Sequence, residues 1–440
     1  MLNKGKNLFL ALFMAGCIYG CVWEDHHSIE ESSDNESILS LDNTEYSNSV
    51  EESSNSESLL SLNDTKYPYT GVPRIVIETE NLAQVQSRNT YLPAKLQIYG
   101  KNAPESEIQY LSIRARGNTS YTAMPKHSYK LKFNHKQTLF DMPKDKEWAL
   151  IANFGDKTHL KNFITYKLAD WLGDEYSPRA QHVELFLNRE YLGLYLLTET
   201  PKIDKNRINI PEDNFSFLLE IGPTKKNGKT YFEQDDRLFE VCYPKDIDST
   251  SLALVTKHIS DWSQYLSNGK FHEEDSIDTW LDVDDFIRYY WIQEFTKNLD
   301  AAFHRSILFT WQKGDIIKMG PVWDFDQGYG NWNYKDWQGP DGWPIRSEGW
   351  PAKILLDAQI KDRADNYWKE HRDFFATITD SISKYGKQTE EYTKNDFKRW
   401  PILESTENEF HKEPYESYQE AIDSLNSWIV QRLQWMNDHL

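Results

Sequence analysis

Short segments between residues 74 and 197 either alternate apolar with polar residues or are rich in β-branched ones. A period of two predicts β-strands, because successive side chains of a strand point to opposite faces. The segments are 74–78, 94–99, 111–116, 128–133, 148–152, 183–187 and 191–197. Residues 159–172 instead have apolar positions at helical spacing, and Asp156 can cap the helix that they form. The first part of the chain is therefore predicted to be an antiparallel sheet that carries one helix.

After residue 213 the apolar spacing becomes mostly helical. Short strands are expected at 217–221 and 238–243, and helices are expected at 250–267, 283–298 and over most of 353–440. The pattern predicts an α+β fold, with a sheet-rich N-terminal lobe at about 72–212 and a mainly helical C-terminal lobe at about 213–440.

The N-terminal region shows neither pattern and indicates an exported, lipid-anchored protein. Two lysines precede an apolar stretch, 8–15, that is too short to cross a bilayer, as in a signal peptide. The motif Met-Ala-Gly-Cys that ends at Cys17 resembles a bacterial lipobox, which predicts a lipoprotein signal peptide over 1–16 and a lipid on Cys17. Acyl chains on such a cysteine hold a protein on a membrane surface. Cys21 is a weaker candidate for the lipid, and simple secretion is the alternative.

Residues 17–67 are rich in Ser and Glu and contain a duplication, since 29–41 returns 21 residues later as 50–62. A segment of this composition buries too little apolar surface to fold. It is therefore predicted to be a disordered tether that precedes a folded unit at 68–440. Phosphorylation of its serines is an alternative role.

Composition excludes several classes of protein. The chain has 440 residues, a formal net charge of −20 and 14% aromatic residues. Chains that are disordered throughout lack aromatic residues, and no apolar run reaches the ~20 residues that a membrane span needs. The excess of acidic residues repels phosphate backbones, so no nucleic-acid partner is expected. Because the length exceeds what one core supports, two lobes are expected.

A possible phosphate-binding turn lies at 114–120 (RARGNTS), and 126–132 (KHSYKLK) follows it. A glycine turn lets backbone N–H groups approach an anion, and a lysine on the next strand adds a positive charge. A bound triphosphate needs both features. Gly-Asn is also a common hairpin turn, so this pattern alone leaves a purely structural role open.

Two acidic segments are candidates for catalysis. Asn298 and Asp300 lie where the helix predicted at 283–298 ends, so Asp300 can serve as a general base or metal ligand, or can simply face water. Asp324-Phe-Asp326 follows an apolar strand, and two carboxylates this close raise each other's pKa unless a cation lies between them. Oxygen ligands beside phosphates favour Mg²⁺, so this pair indicates a metal site.

Tryptophans are concentrated between residues 323 and 350, at Trp323, Trp332, Trp337, Trp343 and Trp350. Aromatic side chains of this kind can stack on sugars or bases. The interpretation we favour is a loop that packs over the site.

The order of these segments is the order of the parts of a kinase, with a phosphate-binding turn, a catalytic base and a metal-binding Asp. No His-Arg-Asp motif precedes the base, however, and Asp-Phe-Asp replaces Asp-Phe-Gly. The chain instead resembles the spore-coat kinase family, the CotH-like atypical protein kinases, over about residues 72–440. The resemblance rests on RARGNTS, PKHSYKLKF, VELFLNREYLGLYLLTE, KNLDA and MGPVWDFDQGYGN. It implies a kinase-like two-lobe fold that binds ATP with Mg²⁺ or Mn²⁺.

The resemblance also implies roles for the acidic residues. Asp300 matches the catalytic carboxylate, which orients the acceptor hydroxyl and takes its proton. Asp324 matches the metal-binding Asp, with Asp326 as support. Asn298 is expected to order the catalytic loop beside the metal. The chain departs from the family at Lys161, where an arginine is expected.

Further residues are implied to bind the nucleotide. Arg116 and Gly117 fall in the phosphate-facing hairpin. Lys132 is the first candidate for the lysine on the phosphates, and Lys130 and Lys126 are the alternatives. Glu199 ends the strand that leads to the expected hinge and can help to hold the nucleotide.

The sequence therefore predicts an exported, monomeric protein kinase that transfers the γ-phosphate of ATP to Ser or Thr of a surface or secreted protein. One alternative is an inactive scaffold or carbohydrate-binding protein on the same fold. Another is a kinase whose acceptor is a sugar or other small molecule.

Overall fold

A computed structural model of the chain describes residues 59–440, except 63, 102, 274–275, 301, 332–336 and 407–412. The chain divides into two units, Met1–Ser56 and Glu57–Leu440, and the structure presented here is that of the second unit. The predicted signal peptide, Cys17, Cys21, most of the tether and Trp332 lie outside the described residues.

Within the described residues, seven strands form a closed barrel in the order β1-β2-β3-β4-β5-β7-β6. Neighbouring strands are antiparallel, except that β1 and β6 pair in parallel and close the barrel. Alternate side chains, such as Leu131, Trp148 and Leu197, fill its interior. The strands are β1 (Arg74–Thr79), β2 (Leu92–Tyr99), β3 (Gln109–Arg116), β4 (Ser128–Leu139), β5 (Met142–Ile151), β6 (Ala180–Leu187) and β7 (Glu190–Glu199).

The helix predicted in this region is α1 (Lys161–Trp171), which connects β5 to β6. The predicted antiparallel sheet is present, but its closure into a barrel was not predicted. Closure depends on β1 residues such as Arg74 pairing with β6 residues such as Glu184, which lie 110 positions further along the chain. Alternation within a strand reports the buried face and carries no information about such distant partners.

A second sheet has the strand order β12-β11-β8-β10-β9. It packs with helices around the larger of the two main cores. The strands are β8 (Ser216–Ile221), β9 (Thr230–Gln234), β10 (Arg237–Tyr243), β11 (Ile307–Gln312) and β12 (Lys318–Met319). The longer helices after β10 are α2 (Ser249–Asn268), α3 (Val283–Thr296), α4 (Ala358–Ala376), α5 (Ile378–Arg399) and α6 (Tyr418–His439). In the described part of the chain, no helix is both long and apolar enough to cross a lipid bilayer.

These two sheets correct the predicted fold class. The expected kinase-like two-lobe fold, with a mainly helical C-terminal lobe, is wrong. The N-terminal strands close into a barrel, and the C-terminal part contains a five-stranded sheet of its own. The reason lies in short apolar segments such as β8 and β11, which pair with each other although α2 and α3 separate them in sequence.

Helix α5 holds the barrel through two consecutive side chains. Asn395 donates hydrogen bonds from Nδ2 to Glu184 Oε1 at 2.7 Å and to the carbonyl oxygen of Pro68 at 2.8 Å. Asp396 Oδ1 accepts from Lys126 Nζ and from the Leu194 N–H, both at 2.7 Å. Lys126 and Asp396 are both fully buried. The connection between barrel and helices therefore depends on an ion pair that water does not reach.

Two further features support this ion pair. His159 Nε2 lies 3.2 Å from Asp396 Oδ2. Burial alone would raise the pKa of Asp396, but Lys126 and His159 together lower it to about 2. Gly193 of β7 has a positive φ of 114°, and a Cβ atom there would collide with the Asp396 carboxylate. Only glycine allows the strand to approach the helix this closely.

Replacing Asp396 tests the strength of this connection. The Asp396→Asn variant leaves Lys126 charged and buried without a counter-ion, which costs about 3–5 kcal/mol. We expect the free energy of unfolding, measured in urea, to fall by that amount. The matched control is Asp261→Asn, which removes the exposed Lys257–Asp261 pair and should cost no more than about 0.5 kcal/mol. Equal losses in the two variants would contradict the proposed role of Asp396.

Candidate active site

The end of α3 places two of the predicted residues. Lys297 takes the left-handed conformation with a φ of 48° and ends the helix. Its ammonium group donates to the carbonyl oxygens of Gly339 and Asp341, at 2.7 and 2.8 Å. Asn298 follows and is fully buried, while Asp300 is half-buried. The turn is thus fixed by its own lysine, and it presents Asn298 and Asp300 at the helix end.

The Asp-Phe-Asp segment is anchored through its middle residue. Phe325 is fully buried, and its N–H donates to Asn162 Oδ1 of α1 at 2.7 Å. Asp324 has a φ of 69°, a left-handed conformation that aspartate tolerates better than most residues. Asn298 Nδ2 donates to the carbonyl oxygen of Asp324 at 3.0 Å, which ties this conformation to the end of α3.

Asp300, Asp324 and Asp326, here called the carboxylate cluster, act on one another electrostatically. Burial, and to a smaller extent the charge of Asp324, raise the pKa of Asp300 to about 6. Burial also raises the pKa of Asp324. The pKa of Asp326 lies well above its usual value because of burial and because of Asp324 and Asp300. The structure therefore brings together the three carboxylates that the sequence singled out, and their mutual repulsion calls for a cation.

Two cations flank the cluster from different elements. Arg116, at the end of β3, is the positive charge that most strongly counteracts the rise in the pKa of Asp324. Lys161, at the start of α1, opposes the raised pKa of Asp326. Arg116 thus comes from the barrel hairpin and Lys161 from the helix that anchors Phe325. Since neither cation forms an ion pair within 4.0 Å in the described residues, both remain available to a bound anion.

The oxygens of this site fit a hard divalent cation. Asn298 Oδ1 is buried and has no hydrogen-bond partner among the described residues. Together with Asp324 and Asp326 it supplies carboxylate and amide oxygens, which Mg²⁺ and Mn²⁺ prefer. No group of three or more His, Cys, Asp or Glu side chains in the described residues is arranged to hold a metal by itself. In many Mg²⁺ sites one or two carboxylates bind the ion, and phosphates and water complete its shell.

The segment predicted to be a phosphate-binding hairpin connects β3 to β4 through a short helix, Thr119–Thr122, and begins at Arg116 beside the cluster. The Arg116 guanidinium lies 5.4 Å from the centre of the Trp323 ring, next to Asp324. Gly117 has a φ of 104°, and a Cβ atom there would collide with the Ser120 hydroxyl. This position therefore requires glycine for a conformational reason.

The three candidate lysines lie elsewhere. Lys132 is exposed on β4. Lys130 pairs with Glu147 at 2.5 Å, and Lys126 is the buried partner of Asp396. None of them is among the charges that act most strongly on the cluster. The structure thus does not bring these lysines to the cluster, and Lys161 occupies a position next to it instead.

Glu199 is engaged within the fold. Its carboxylate is fully buried at the end of β7 and accepts two hydrogen bonds from Arg179, at 2.9 and 3.0 Å. Arg207 lies 3.6 Å away. A contact between Glu199 and a nucleotide stays a prediction.

The family of the chain is shown by comparison with known proteins. A family model described as CotH kinase protein matches residues 113–436, about three quarters of the chain. The chain belongs to the CotH kinase family. The resemblance inferred from the sequence is confirmed. A comparison with curated proteins found no match. The part that matches the CotH kinase model runs from β3 to α6, so it contains Arg116, Lys161 and the carboxylate cluster.

Sequence reasoning assigned no role in the site to two residues of this CotH family member. Lys161 was noted only because an arginine is expected there in the family. That difference was the one feature of the sequence that pointed to this position. Glu220 of β8 also senses the charge of Asp324, since burial, Glu240 and, to a smaller extent, Asp324 raise its pKa to about 7 against the opposing charge of Lys226. The only feature of the sequence that could have indicated Glu220 is an acidic residue within the apolar strand SFLLEI.

The tryptophan-rich segment packs onto the core. The Trp323 ring stacks on Tyr166, with ring centres 5.9 Å apart. Trp350 is buried and Trp343 packs against the same core. These three side chains therefore pack within the fold, and a role of this segment in covering the site stays a prediction.

Replacing Asn298 tests the metal-binding oxygens. The Asn298→Ala variant loses both the orphan oxygen and the hydrogen bond that fixes Asp324. We expect the affinity for Mn²⁺ in the presence of ADP to fall by about 10- to 100-fold in calorimetry, as when ligand-orienting groups are removed from metal sites. The matched control is Asn366→Ala, on the exposed face of α4. Equal Mn²⁺ affinity in both variants would show that Asn298 does not contribute.

Proposed function

We propose that this CotH kinase family member is an ATP-dependent phosphotransferase that phosphorylates Ser or Thr of a protein. The observation that carries the proposal is the half-buried carboxylate cluster, which lies beside the orphan oxygen of Asn298 and between Arg116 and Lys161. Structural ion pairs would leave such charges neutralised. Here three acids share one space without paired cations, which is typical of a site that binds a metal and phosphates.

Asp300 is the residue suited to act on the acceptor. Its carboxylate makes no hydrogen bond or ion pair with any described side chain, so it is free to accept a proton. In the proposed step the acceptor hydroxyl oxygen forms a bond to the γ-phosphorus of ATP. The bond from that phosphorus to the β,γ-bridging oxygen breaks, ADP leaves, and Asp300 takes the hydroxyl proton.

The flanking residues bind and orient the nucleotide. Asp324, Asp326 and Asn298 would hold the divalent ion, which when bound supplies positive charge to the phosphate oxygens. Arg116 would bind the phosphates from the barrel side, because its guanidinium already faces Asp324. Phe325 keeps both aspartates in place through its bond to Asn162.

A transfer assay with γ-labelled ATP and Mg²⁺ or Mn²⁺ tests the proposal on the full chain. The acceptors are the chain itself, an acidic phosphoprotein and oligosaccharides. We expect transfer to protein, and we expect Asp300→Asn to slow it by about 10²- to 10⁴-fold, the usual contribution of a positioned base. Affinity for ADP should stay unchanged. The exposed Asp362→Asn is the matched control and should retain full activity.

Each other outcome of this assay rejects one part of the proposal. Undiminished transfer by Asp300→Asn would reject that residue as the base. Transfer to oligosaccharides alone would reject a protein acceptor. No transfer to any acceptor, together with no nucleotide binding in calorimetry, would reject the phosphotransferase function and favour a surface scaffold.

We also propose that the protein is exported and anchored by a lipid on Cys17. The support is the sequence before that residue, a short apolar stretch that ends in Met-Ala-Gly-Cys. Mass spectrometry of the N-terminus, after expression in a bacterium that lipidates its exported proteins, tests it. We expect Cys17→Ser to lose the acyl mass and Cys21→Ser to retain it. An unmodified N-terminus in the native chain would contradict the anchor.

A further inference from the structure

Residues 59–62 and 64–67, the first that the structure describes, lie along the surface of the barrel. Leu60 is only 6% exposed and belongs to a separate apolar cluster outside the barrel interior. The other buried members of that cluster are Tyr67, Val76, Tyr99, Phe186 and Tyr191. The sequence had assigned this segment to the end of the tether. It is in fact a docked segment, here called the resident arm, with an apolar anchor near each end.

Hydrogen bonds hold the backbone of the resident arm at both of its apolar anchors, Leu60 and Tyr67. The N–H of Leu60 donates to Gln97 Oε1 at 3.1 Å, and the Tyr99 hydroxyl donates to the Leu60 carbonyl at 2.7 Å. Arg74 donates to the Tyr67 carbonyl oxygen at 3.0 Å. The Tyr67 ring stacks on Tyr191, with ring centres 4.2 Å apart. The barrel surface therefore recognises a leucine and a tyrosine together with backbone groups of both residues.

The same recognition elements occur a second time in the chain. Residues 38–46 read ILSLDNTEY and residues 59–67 read LLSLNDTKY, exactly one repeat of 21 residues apart. The two apolar anchors, Leu60 and Tyr67, correspond to Leu39 and Tyr46. Residues 38–46 lie outside the described residues, so only their sequence enters the argument. Leu60 and Tyr67, the two buried side chains that the resident arm contributes to the apolar cluster, thus have identical counterparts upstream.

The differences between the two copies favour the resident arm without excluding the upstream one. Asp64 pairs with Arg74 at 2.8 Å, and its upstream counterpart is Asn43, which keeps the shape but loses the charge. Lys66 is replaced by Glu45, yet its contact with Lys398 is through the backbone carbonyl, at 2.8 Å. Because Asp64 is 42% exposed, its ion pair gives only a modest preference. The barrel surface is compatible with both copies.

We propose that this barrel surface is a binding site for the duplicated motif, and that residues 38–46 occupy it as an alternative to the resident arm. If residues 38–46 replace residues 59–67 on the barrel, the free chain that precedes the docked segment becomes 21 residues shorter. At full extension that length is about 70 Å. The duplication then has a physical role, since it provides two docking positions on one tether.

Hydrogen exchange on the full chain tests the proposal. In the native chain we expect 59–67 to be protected and 38–46 to exchange faster. Exchanging the charge difference with Asp64→Asn and Asn43→Asp in one chain should shift the preference toward 38–46, slowing its exchange by about two- to fivefold. Removing the resident anchors with Leu60→Ser and Tyr67→Ser should also move protection to 38–46. Adding Leu39→Ser and Tyr46→Ser to that variant should abolish protection of both copies.

Peptides from β1 and β2 provide the internal control, because their protection shows that the barrel remains folded. The charge-exchange variant keeps all four apolar anchors, so it also tests the proposal if the serine variants fail to fold. Fast exchange of 38–46 in the charge-exchange variant, with β1 and β2 still protected, would overturn the proposal. Protection of 38–46 that appears only at high protein concentration would also overturn it, since the occupant would then come from a second molecule.

Discussion

The buried ion pair between Lys126 and Asp396 is the contact on which the site depends. The carboxylate cluster comes from segments after the barrel, whereas Arg116 comes from a barrel hairpin. These parts face each other only while the barrel stays fixed against the helices. Asp396 provides that connection by binding both Lys126 and the backbone of β7 at 2.7 Å. Asp396 thereby helps to fix Arg116, the proposed phosphate-binding cation, relative to the acids that are proposed to bind the metal.

The cluster itself is unfavourable for folding, which explains the rigidity around it. Three carboxylates with raised pKa values repel one another, and the two flanking cations do not form close ion pairs with them. Surrounding contacts keep them together: the buried Phe325, its hydrogen bond to Asn162, and the bond from Asn298 to Asp324. Sites that bind ligands commonly keep such a local conflict, and the rest of the fold compensates for it. A bound divalent metal ion would supply the positive charge that is missing.

Alternating apolar residues predicted most of the barrel strands, because each buries one face. Prediction failed where that signal is absent. β4 and β5 extend beyond the predicted strands as a ribbon that carries exposed polar residues, and β11 is an apolar run buried on both faces. Barrel closure and the Lys126–Asp396 pair join residues 110 and 270 positions apart, which local patterns do not encode. The acids of the site were found through their motifs and the family resemblance. Lys161 was missed as a site residue because its proximity to Asp326 depends on how α1 packs.

The most direct test of the account is to locate the metal. Crystals of the chain grown with Mn²⁺ and a non-hydrolysable ATP analogue would show the ion by its anomalous scattering. The account predicts one strong peak, about 2.0–2.3 Å from oxygens of Asp324 and Asp326 and near Asn298 Oδ1, with phosphate oxygens completing its shell. A peak bound instead by Glu220 and Glu240, or a nucleotide bound away from Arg116, would contradict it.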